Sequence, residues 1–119
     1  MARAQAVLTP TLYVEPFNMV AIEAQMLGTP VISTDWGGFT ETVEIGLSGF
    51  RCHYLGEFVT ALRAAPWLDR EAIRARANRL YSVEAVIPQY QMYLDRLSLL
   101  WDRGWETIDG STDVVRGCD

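Results

Sequence analysis

The chain has 119 residues, of which 50% are hydrophobic, so it can bury the core of one domain. Its formal net charge is -5 and its basic residues are scattered, which argues against a nucleic-acid-binding surface. No apolar run approaches the roughly eighteen residues that cross a bilayer, and the amino terminus lacks the apolar segment of a signal peptide. We therefore expect a cytoplasmic protein without a transmembrane segment.

The cysteines and the histidine do not form a disulfide framework or a zinc site. Cys52 and Cys118 lie far apart without a second pair, and His53 cannot complete a zinc site with Cys52. We predict that both cysteines are free thiols. His53 is expected to be an ordinary residue at a strand end or on the surface.

The first third of the chain has the pattern of a β-α-β unit. In chain order it predicts a strand at residues 6–9, a loop at 11–16, a helix from Asn18 to Leu27, a strand at 31–34 and a loop at 35–38. Met19, Ile22 and Met26 mark the apolar side of the helix, and Gly28 ends it. A right-handed crossover joins parallel strands, so we expect a ligand outside their carboxyl ends.

The rest of the chain predicts one more short strand and then helices. The elements are a helical turn at 40–43, a strand at 50–52, and helices at 56–64, at 70–80 and from Ser82 to Gly104. Asp69 is the expected N-cap of the helix at 70–80, and Glu71 favours its first turn. In the last helix, Pro88 predicts a bend or a late start. An apolar stripe on that helix predicts packing along another apolar surface: Val83, Val86, Ile87, Tyr90, Leu94, Leu97 and Trp101.

Two carboxylates stand in otherwise uncharged sequence. Between Ala4 and Thr34 the only formal charges are Glu15 and Glu23, which seven residues separate. A buried carboxylate needs hydrogen-bond donors or becomes neutral, and a hydroxyl-rich ligand supplies such donors. The pair therefore indicates a ligand site. The alternative is structural, with Glu15 capping the turn before Pro16 and Glu23 on a thin polar helix face beside Gln25.

Five sequence elements occur in the order of a known signature. They are the pair Glu15 and Glu23, the run Gly28-Thr29-Pro30-Val31-Ile32, the Gly37-Gly38 loop, Glu41, and the turn Gly46-Leu47-Ser48-Gly49-Phe50. Over residues 2–105 this order resembles the carboxyl-terminal part of GT-B fold glycosyltransferases, in particular family 4, the glycosyl transferases group 1. The resemblance implies an α/β fold: a partial Rossmann-like parallel sheet of about three short strands with several helices, the C-terminal portion of a nucleotide-sugar-binding domain.

The resemblance also implies roles for the residues of the first motif. It assigns donor-sugar contacts to Glu15, Phe17 and Asn18, and contact with the nucleotide ribose to Glu23. The chemistry of the two glutamates fits these roles, since a carboxylate can accept from two neighbouring hydroxyls at once. Diphosphate contacts are assigned to the backbone of Asn18, Met19 and Val20, at the positive end of the helix. Family members usually have Gly at the position of Asn18, and Asn tolerates a left-handed backbone better than most residues. No residue is a certain catalytic acid or base, and no metal or cofactor is expected.

Four other groups of residues have competing or structural interpretations. The Gly37-Gly38 pair is either a flexible turn or a loop kept small beside the donor. Glu41 matches a family glutamate, yet an acidic residue favours the first turn of a short helix in any case. The arginines of the helix at 70–80 are expected on a solvated face rather than in a phosphate clamp: Arg70, Arg74, Arg76 and Arg79. The tryptophans are expected in core or packing positions: Trp36, Trp67, Trp101 and Trp105.

Residues 1–105 are thus predicted to be a truncated donor-binding GT-B domain, and residues 106–119 a disordered tail. Three strands are few for a doubly wound sheet, so we expect that the N-terminal GT-B domain is missing and that an unpaired sheet edge favours a homo-oligomer. The implied function is retaining transfer of a hexosyl group from a nucleotide diphosphate sugar to an acceptor hydroxyl, without activity in the isolated chain. The alternatives are an inert orphan or truncated module that self-associates, and a non-catalytic nucleotide-binding module.

Overall fold

The computed structural model describes residues 1–103 and divides them into two units. The first unit is Met1–Ser82, and the second begins at Val83. The tail predicted at residues 106–119, Trp105 and Cys118 lie outside the described residues. Among residues 1–103, no helix is long and apolar enough to cross a membrane.

Three short parallel strands form the sheet of the first unit. β1 (Val7–Thr9), β2 (Val31–Thr34) and β3 (Gly49–Cys52) lie in the order β1-β2-β3. The central strand β2 is buried along its whole length, as its mostly β-branched sequence favours. The predicted α/β fold with a partial Rossmann-like sheet of three parallel strands is confirmed, and the strand bounds agree within one residue.

Helices follow the strands in the predicted order. Those described in the first unit are α1 (Met19–Met26), α2 (Phe39–Thr42), α3 (Leu55–Ala64) and α4 (Arg70–Tyr81), with a 3-10 turn at Ala65–Trp67. The second unit contains α5 (Val83–Arg103). As predicted, Asp69 caps α4, since its Oδ1 accepts hydrogen bonds from the N–H groups of Glu71 and Ala72.

The last helix differs from its prediction at Pro88. This residue lies inside α5, which begins at Val83, so the predicted alternative of a late start after Pro88 is wrong. The helix loses one backbone hydrogen bond at the proline and continues. Residues of the predicted apolar stripe are exposed: Val83, Ile87, Tyr90, Leu94 and Leu97.

Helices cover both faces of the sheet. Val31 and Ile32 are neighbours in β2, so their side chains project to opposite faces. Val31 packs in a core cluster with Ala21 and Ala24 of α1. Ile32 packs in a second cluster with Ala61 of α3. The small alanines let both helices approach the strands closely, which gives the doubly covered arrangement of a parallel sheet.

The buried side of α1 agrees only in part with the one that its pattern predicted. Ile22 is buried, but Met19 is 59% exposed and Gln25 is completely buried. Only the structural alternative placed Gln25, beside Glu23 on a thin polar face. Its amide is instead satisfied inside the unit, with Nε2 donating to the carbonyl of Thr42 at 3.0 Å and Oε1 accepting from Nη1 of Arg76 at 3.2 Å.

Two arginines of α4 are structural anchors. The predicted solvated arginine face is wrong at Arg76, while Arg70, Arg74 and Arg79 are exposed as predicted. The Arg76 side chain is only 10% exposed and its Nε donates to Oε2 of Glu44 at 2.8 Å. Arg70 donates through its guanidinium to the carbonyls of Ala2 and Ala4 and to the hydroxyl of Thr29. The planar guanidinium donates to several acceptors at once, which explains why arginine occupies these contacts between segments.

Replacing Arg76 with Met should destabilise the first unit by about 1–3 kcal/mol, because the buried amide oxygen of Gln25 loses its donor. Urea unfolding followed by circular dichroism measures the change. The matched control is Arg79→Met on the same helix, where the arginine is exposed and a change within about 0.5 kcal/mol is expected. Equal effects of the two substitutions would contradict the anchoring role.

Two tryptophans predicted in packing positions are exposed. Trp67 lies in the 3-10 turn and is 88% exposed, while Trp36 follows β2 and is 40% exposed. The indole N–H of Trp36 donates to the carbonyl of Thr11 at 3.2 Å, which ties the loop after β1 to the loop after β2. Their positions in connections explain the exposure, because a turn offers fewer neighbours than a helix or strand interior. The side chain of Trp101 is outside the described part.

Candidate functional site

The loops at the carboxyl ends of β1 and β2 lie against each other. The Thr34 hydroxyl donates to the carbonyl of Thr11 at 3.0 Å, and the N–H of Gly38 donates to the carbonyl of Glu15 at 2.6 Å. Glu15 therefore lies at the edge of the sheet where the sequence predicts a ligand. In parallel α/β sheets this edge is the usual position of binding sites.

Glu15 is held in the loop by local hydrogen bonds. Its Oε2 accepts from the hydroxyl of Tyr13 at 2.7 Å, and its Oε1 accepts from the backbone N–H of Asn18 at 3.2 Å. The Tyr13 hydrogen bond is the largest cause that lowers the pKa of Glu15, and the Asn18 hydrogen bonds add to it against the opposing effect of burial. The carboxylate is therefore an ionised acceptor at neutral pH. The bond to Asn18 N–H also gives it the turn-capping part of the predicted structural alternative.

The Gly37-Gly38 pair packs directly on the backbone of the Glu15 loop. A Cβ atom on Gly37 would overlap the backbone of Glu15, and one on Gly38 would lie 2.5 Å from the carbonyl oxygen of Pro16. Gly37 also has a φ of 60°, which disfavours other residues. The two glycines thus let the two loops touch, and this contact holds the Glu15 turn rather than leaving a free flexible loop.

Asn18 forms the turn that starts α1. Its φ of 62° is left-handed, as its tolerance for that conformation suggested, and its Oδ1 accepts from the N–H of Ala21 at 2.9 Å. The N–H groups of Met19 and Val20 precede the first intrahelical donor, the N–H of Ala21, and have no protein acceptor among the described residues. These groups are the ones that the resemblance assigns to a diphosphate.

Replacing Asn18 with Ala should destabilise the chain by about 1–2 kcal/mol, because the cap is lost and a Cβ-bearing residue without a polar side chain is left at positive φ. Asn18→Gly is the matched variant, since glycine loses the cap but adopts this φ without strain, and only a few tenths of a kcal/mol are expected. Thermal unfolding compares the two. The assignment fails if Asn18→Ala is as stable as Asn18→Gly.

Phe17 precedes α1, and Glu23 lies about one turn inside it. Glu23 is exposed, with no side-chain hydrogen bond or ion pair in the described part of the chain, and lies four residues after Met19, about 6 Å along the helix axis. The Phe17 ring is 45% exposed and packs edge to face on Tyr81 of α4, with 6.0 Å between the ring centroids. Both side chains remain accessible to a ligand at this end of the helix.

A charged cluster occupies the adjacent carboxyl end of β3. The Asp35 carboxylate lies 3.4 Å from Nε of Arg51 and 3.5 Å from Nε2 of His53. The backbone N–H of His53 donates to the Glu57 carboxylate at 2.6 Å. This hydrogen bond is the largest cause that lowers the pKa of Glu57. Arg51 also donates to the carbonyl of Thr40. These groups bond to one another and join β3 to its neighbours. His53 is 60% exposed at the strand end, as predicted.

The remaining candidates are Cys52 and Glu41. Cys52 is a free, buried thiol, as predicted, and burial raises its pKa. It lines a cavity of about 430 Å³ between β3 and α3, which shares no lining residue with the Glu15 loop or α1. Glu41 lies in the first turn of α2, in the structural position that its alternative interpretation expected. Within residues 1–103, no cluster of three or more His, Cys, Asp or Glu side chains could hold a metal ion.

Sequence reasoning missed Tyr13, although it is the nearest partner of the Glu15 carboxylate. The signal was present, because a tyrosine two residues before a carboxylate in a turn can reach it. The contact between Gly37-Gly38 and the Glu15 backbone joins residues more than twenty positions apart and has no comparable local signal.

A parallel sheet with helices on both faces is a partial Rossmann-like α/β domain, consistent with a GT-B glycosyltransferase domain. Residues 1–55 match the model of the family described as glycosyl transferases group 1. Over these residues the chain is similar to that family.

The similar curated proteins are much longer than this chain. The chain is 32% identical to a D-inositol 3-phosphate glycosyltransferase of Nocardiopsis dassonvillei over 98% of its own length and 24% of that protein. It is 32% identical to a sucrose synthase of Acidithiobacillus caldus over 79% of the chain and 14% of that protein. A glycogen synthase of Mycobacterium tuberculosis is 44% identical over 42% of the chain and 12% of the synthase. The chain therefore spans about a quarter or less of the length of these relatives.

Proposed function

We propose that this chain is the donor-binding part of a retaining glycosyltransferase that moves a hexosyl group from a nucleotide diphosphate sugar to an acceptor hydroxyl. The observation that carries the proposal is the ionised Glu15 carboxylate beside the amino terminus of α1, at the carboxyl edge of the sheet. An acceptor-only group next to free helix N–H groups suits a ligand with hydroxyls at one end and phosphates beside them.

The order of groups along the chain matches the order of groups in such a donor. Glu15 would accept from the sugar hydroxyls, the N–H groups of Met19 and Val20 would donate to the diphosphate, and Glu23 would accept from the ribose. In a nucleotide diphosphate sugar the sugar, the diphosphate and the ribose follow one another in this sequence. Phe17 and Asn18 lie between the first two groups and would line the sugar end.

The departing nucleoside diphosphate must be stabilised as negative charge develops on it. In this proposal the amino terminus of α1 supplies part of that stabilisation, without a metal ion. A second domain would supply further basic groups and the acceptor site. That division agrees with the short span of this chain within its relatives.

The direct test is a titration of the 119-residue chain with nucleotide diphosphate sugars and with the matching nucleotide diphosphates, followed by amide chemical shifts in solution NMR. We expect amide shifts at Asn18, Met19 and Val20 for both ligand types. In Glu15→Gln we expect weaker binding of the nucleotide diphosphate sugars and unchanged binding of the nucleotide diphosphates. Glu41→Gln is the matched control, an exposed glutamate that should leave binding unchanged. No shift with any donor at millimolar concentration, or shifts confined to the cavity beside β3, would refute the proposal.

A chimera separates this function from an inert module that self-associates. In the chimera, the chain replaces the matched segment of the Nocardiopsis dassonvillei relative. We expect sugar transfer by the chimera and none by the isolated chain, because donor and acceptor must be held together. An inactive, correctly folded chimera, together with a stable dimer of the isolated chain in sedimentation, would favour the inert module.

A further inference from the structure

The Tyr13 side chain is hydrogen-bonded to the Glu15 carboxylate. Its hydroxyl donates to Oε2 of the carboxylate at 2.7 Å, a short distance typical of a bond to a charged acceptor. The ring is 61% exposed, so it is not held in place by burial in the core. Any effect of this exposed side chain on the proposed site therefore depends on its hydrogen bond to the Glu15 carboxylate.

The hydrogen bonds of Glu15 leave a defined set of free acceptor positions. An ionised carboxylate offers about four positions, two on each oxygen. Tyr13 occupies one on Oε2, and the N–H of Asn18 occupies one on Oε1. The Asn18 side chain and the N–H of Phe17 also lower the pKa of Glu15, but in the described part of the chain only the Tyr13 and Asn18 N–H bonds meet hydrogen-bond geometry. On that geometry one position remains on each oxygen, which matches two hydroxyls on neighbouring carbons of a sugar.

We propose that Tyr13 is a positioning residue for Glu15, whose phenol fixes the orientation of the carboxylate so that each oxygen keeps one free position for a sugar hydroxyl. The role of the hydroxyl pair rests on the proposed function. The contact between Tyr13 and Glu15 does not, and it can be tested without a ligand.

The coupling between the two side chains runs in both directions. The phenol lowers the pKa of Glu15, and the same hydrogen bond and the negative charge of Glu15 raise the pKa of Tyr13. The other groups that affect Glu15 are the Asn18 side chain and the N–H groups of Asn18 and Phe17. The Gly37-Gly38 turn that packs on Glu15 contacts it through backbone, and Asp35 just before it is paired with Arg51. Tyr13 is therefore the titratable partner to change.

The first experiment is an NMR titration of the Glu15 carboxyl group with pH, in the 119-residue chain without ligand. In Tyr13→Phe we expect the pKa of Glu15 to rise towards that of an unpartnered glutamate, with the fold unchanged because the exposed ring is kept. Tyr54→Phe is the matched control, a tyrosine of similar exposure that lies beside Glu57, and it should leave the pKa of Glu15 unchanged. An unchanged Glu15 pKa in folded Tyr13→Phe would overturn the proposal.

A second experiment tests orientation with defined probes, UDP-glucose against UDP and GDP-mannose against GDP. In Tyr13→Phe the preference for the sugar form should fall by roughly twofold to tenfold, while binding of the free nucleotide is unchanged. A merely structural role would weaken both ligands equally, and that result would count against positioning. If neither pair binds the wild-type chain, the proposed function fails, and the titration of Glu15 still decides the role of Tyr13.

Discussion

Gly49→Ala should cost the first unit about 3 kcal/mol, the upper part of the range for overpacked sites and a large share of the stability of a small domain. Gly49 is paired with Val31 across β2 and β3, and a Cβ atom built on it would overlap the carbonyl oxygen of Val31. The carbonyl oxygen of Val31 belongs to the backbone of a buried sheet, so it cannot move aside as a flexible side chain could. The strands would have to separate, which breaks the pairing that holds β3.

Urea unfolding of the two glycine variants measures this effect. Gly56→Ala is the control, because a Cβ on Gly56 in α3 meets only the Tyr54 ring at ordinary contact distance. Alanine favours a helix over glycine by about 0.5–1 kcal/mol, so this variant should be slightly more stable than the wild type. A Gly49→Ala chain that unfolds at the wild-type urea concentration would show that the strands are not packed this closely.

Glu15→Gln and Glu23→Gln should have different kinetic signatures in the active chimera described above. Glu15 would hold the sugar hydroxyls as the ring distorts in the transition state, so its loss should lower kcat by roughly tenfold to a hundredfold, the value of one charge-assisted hydrogen bond. Glu23 would hold the ribose equally in the ground and transition states. Its loss should raise the donor KM and change kcat little.

Steady-state kinetics with varied donor concentration separates the two effects, and Glu41→Gln serves as the unaffected control. If both glutamate variants keep kcat and donor KM within about twofold of the parent chimera, the ligand role of the pair is wrong. Glu15 would then be only the cap of its turn, and Glu23 only a surface residue of α1.

The elements that the sequence predicts correctly depend on residues close together in the chain. The strand, helix and strand of the first third, the cap at Asp69 and the left-handed turn at Asn18 each depend on side chains within about four positions of the backbone that they organise. The placement of Glu15 at the carboxyl edge also follows, since a β-α-β crossover brings that loop to one edge of the sheet. Its roles towards a ligand remain predictions.

Burial and close backbone approach were decided by residues far apart in the chain. The structural alternative put Gln25 on a thin polar face, but it is buried, and its burial depends on Arg76, which is 51 residues away. Trp67 was assigned to packing by its type, and it is exposed because it lies in a turn with few neighbours. Residue type reports the cost of burying a group in isolation, while the partner that removes that cost is known only when the chain has folded.

By itself the sequence determined the order of strands and helices, the position of the Glu15 loop and the resemblance of residues 1–55 to the glycosyl transferases group 1. Only the tertiary structure decided that Gly37, Gly38 and Gly49 are needed for contacts between backbones, and that Arg70 and Arg76 anchor α4. The physical reason is the range of the interactions. Hydrogen bonds within a turn act over a few residues, but excluded volume and burial depend on segments that meet only when the sheet and its covering helices are assembled.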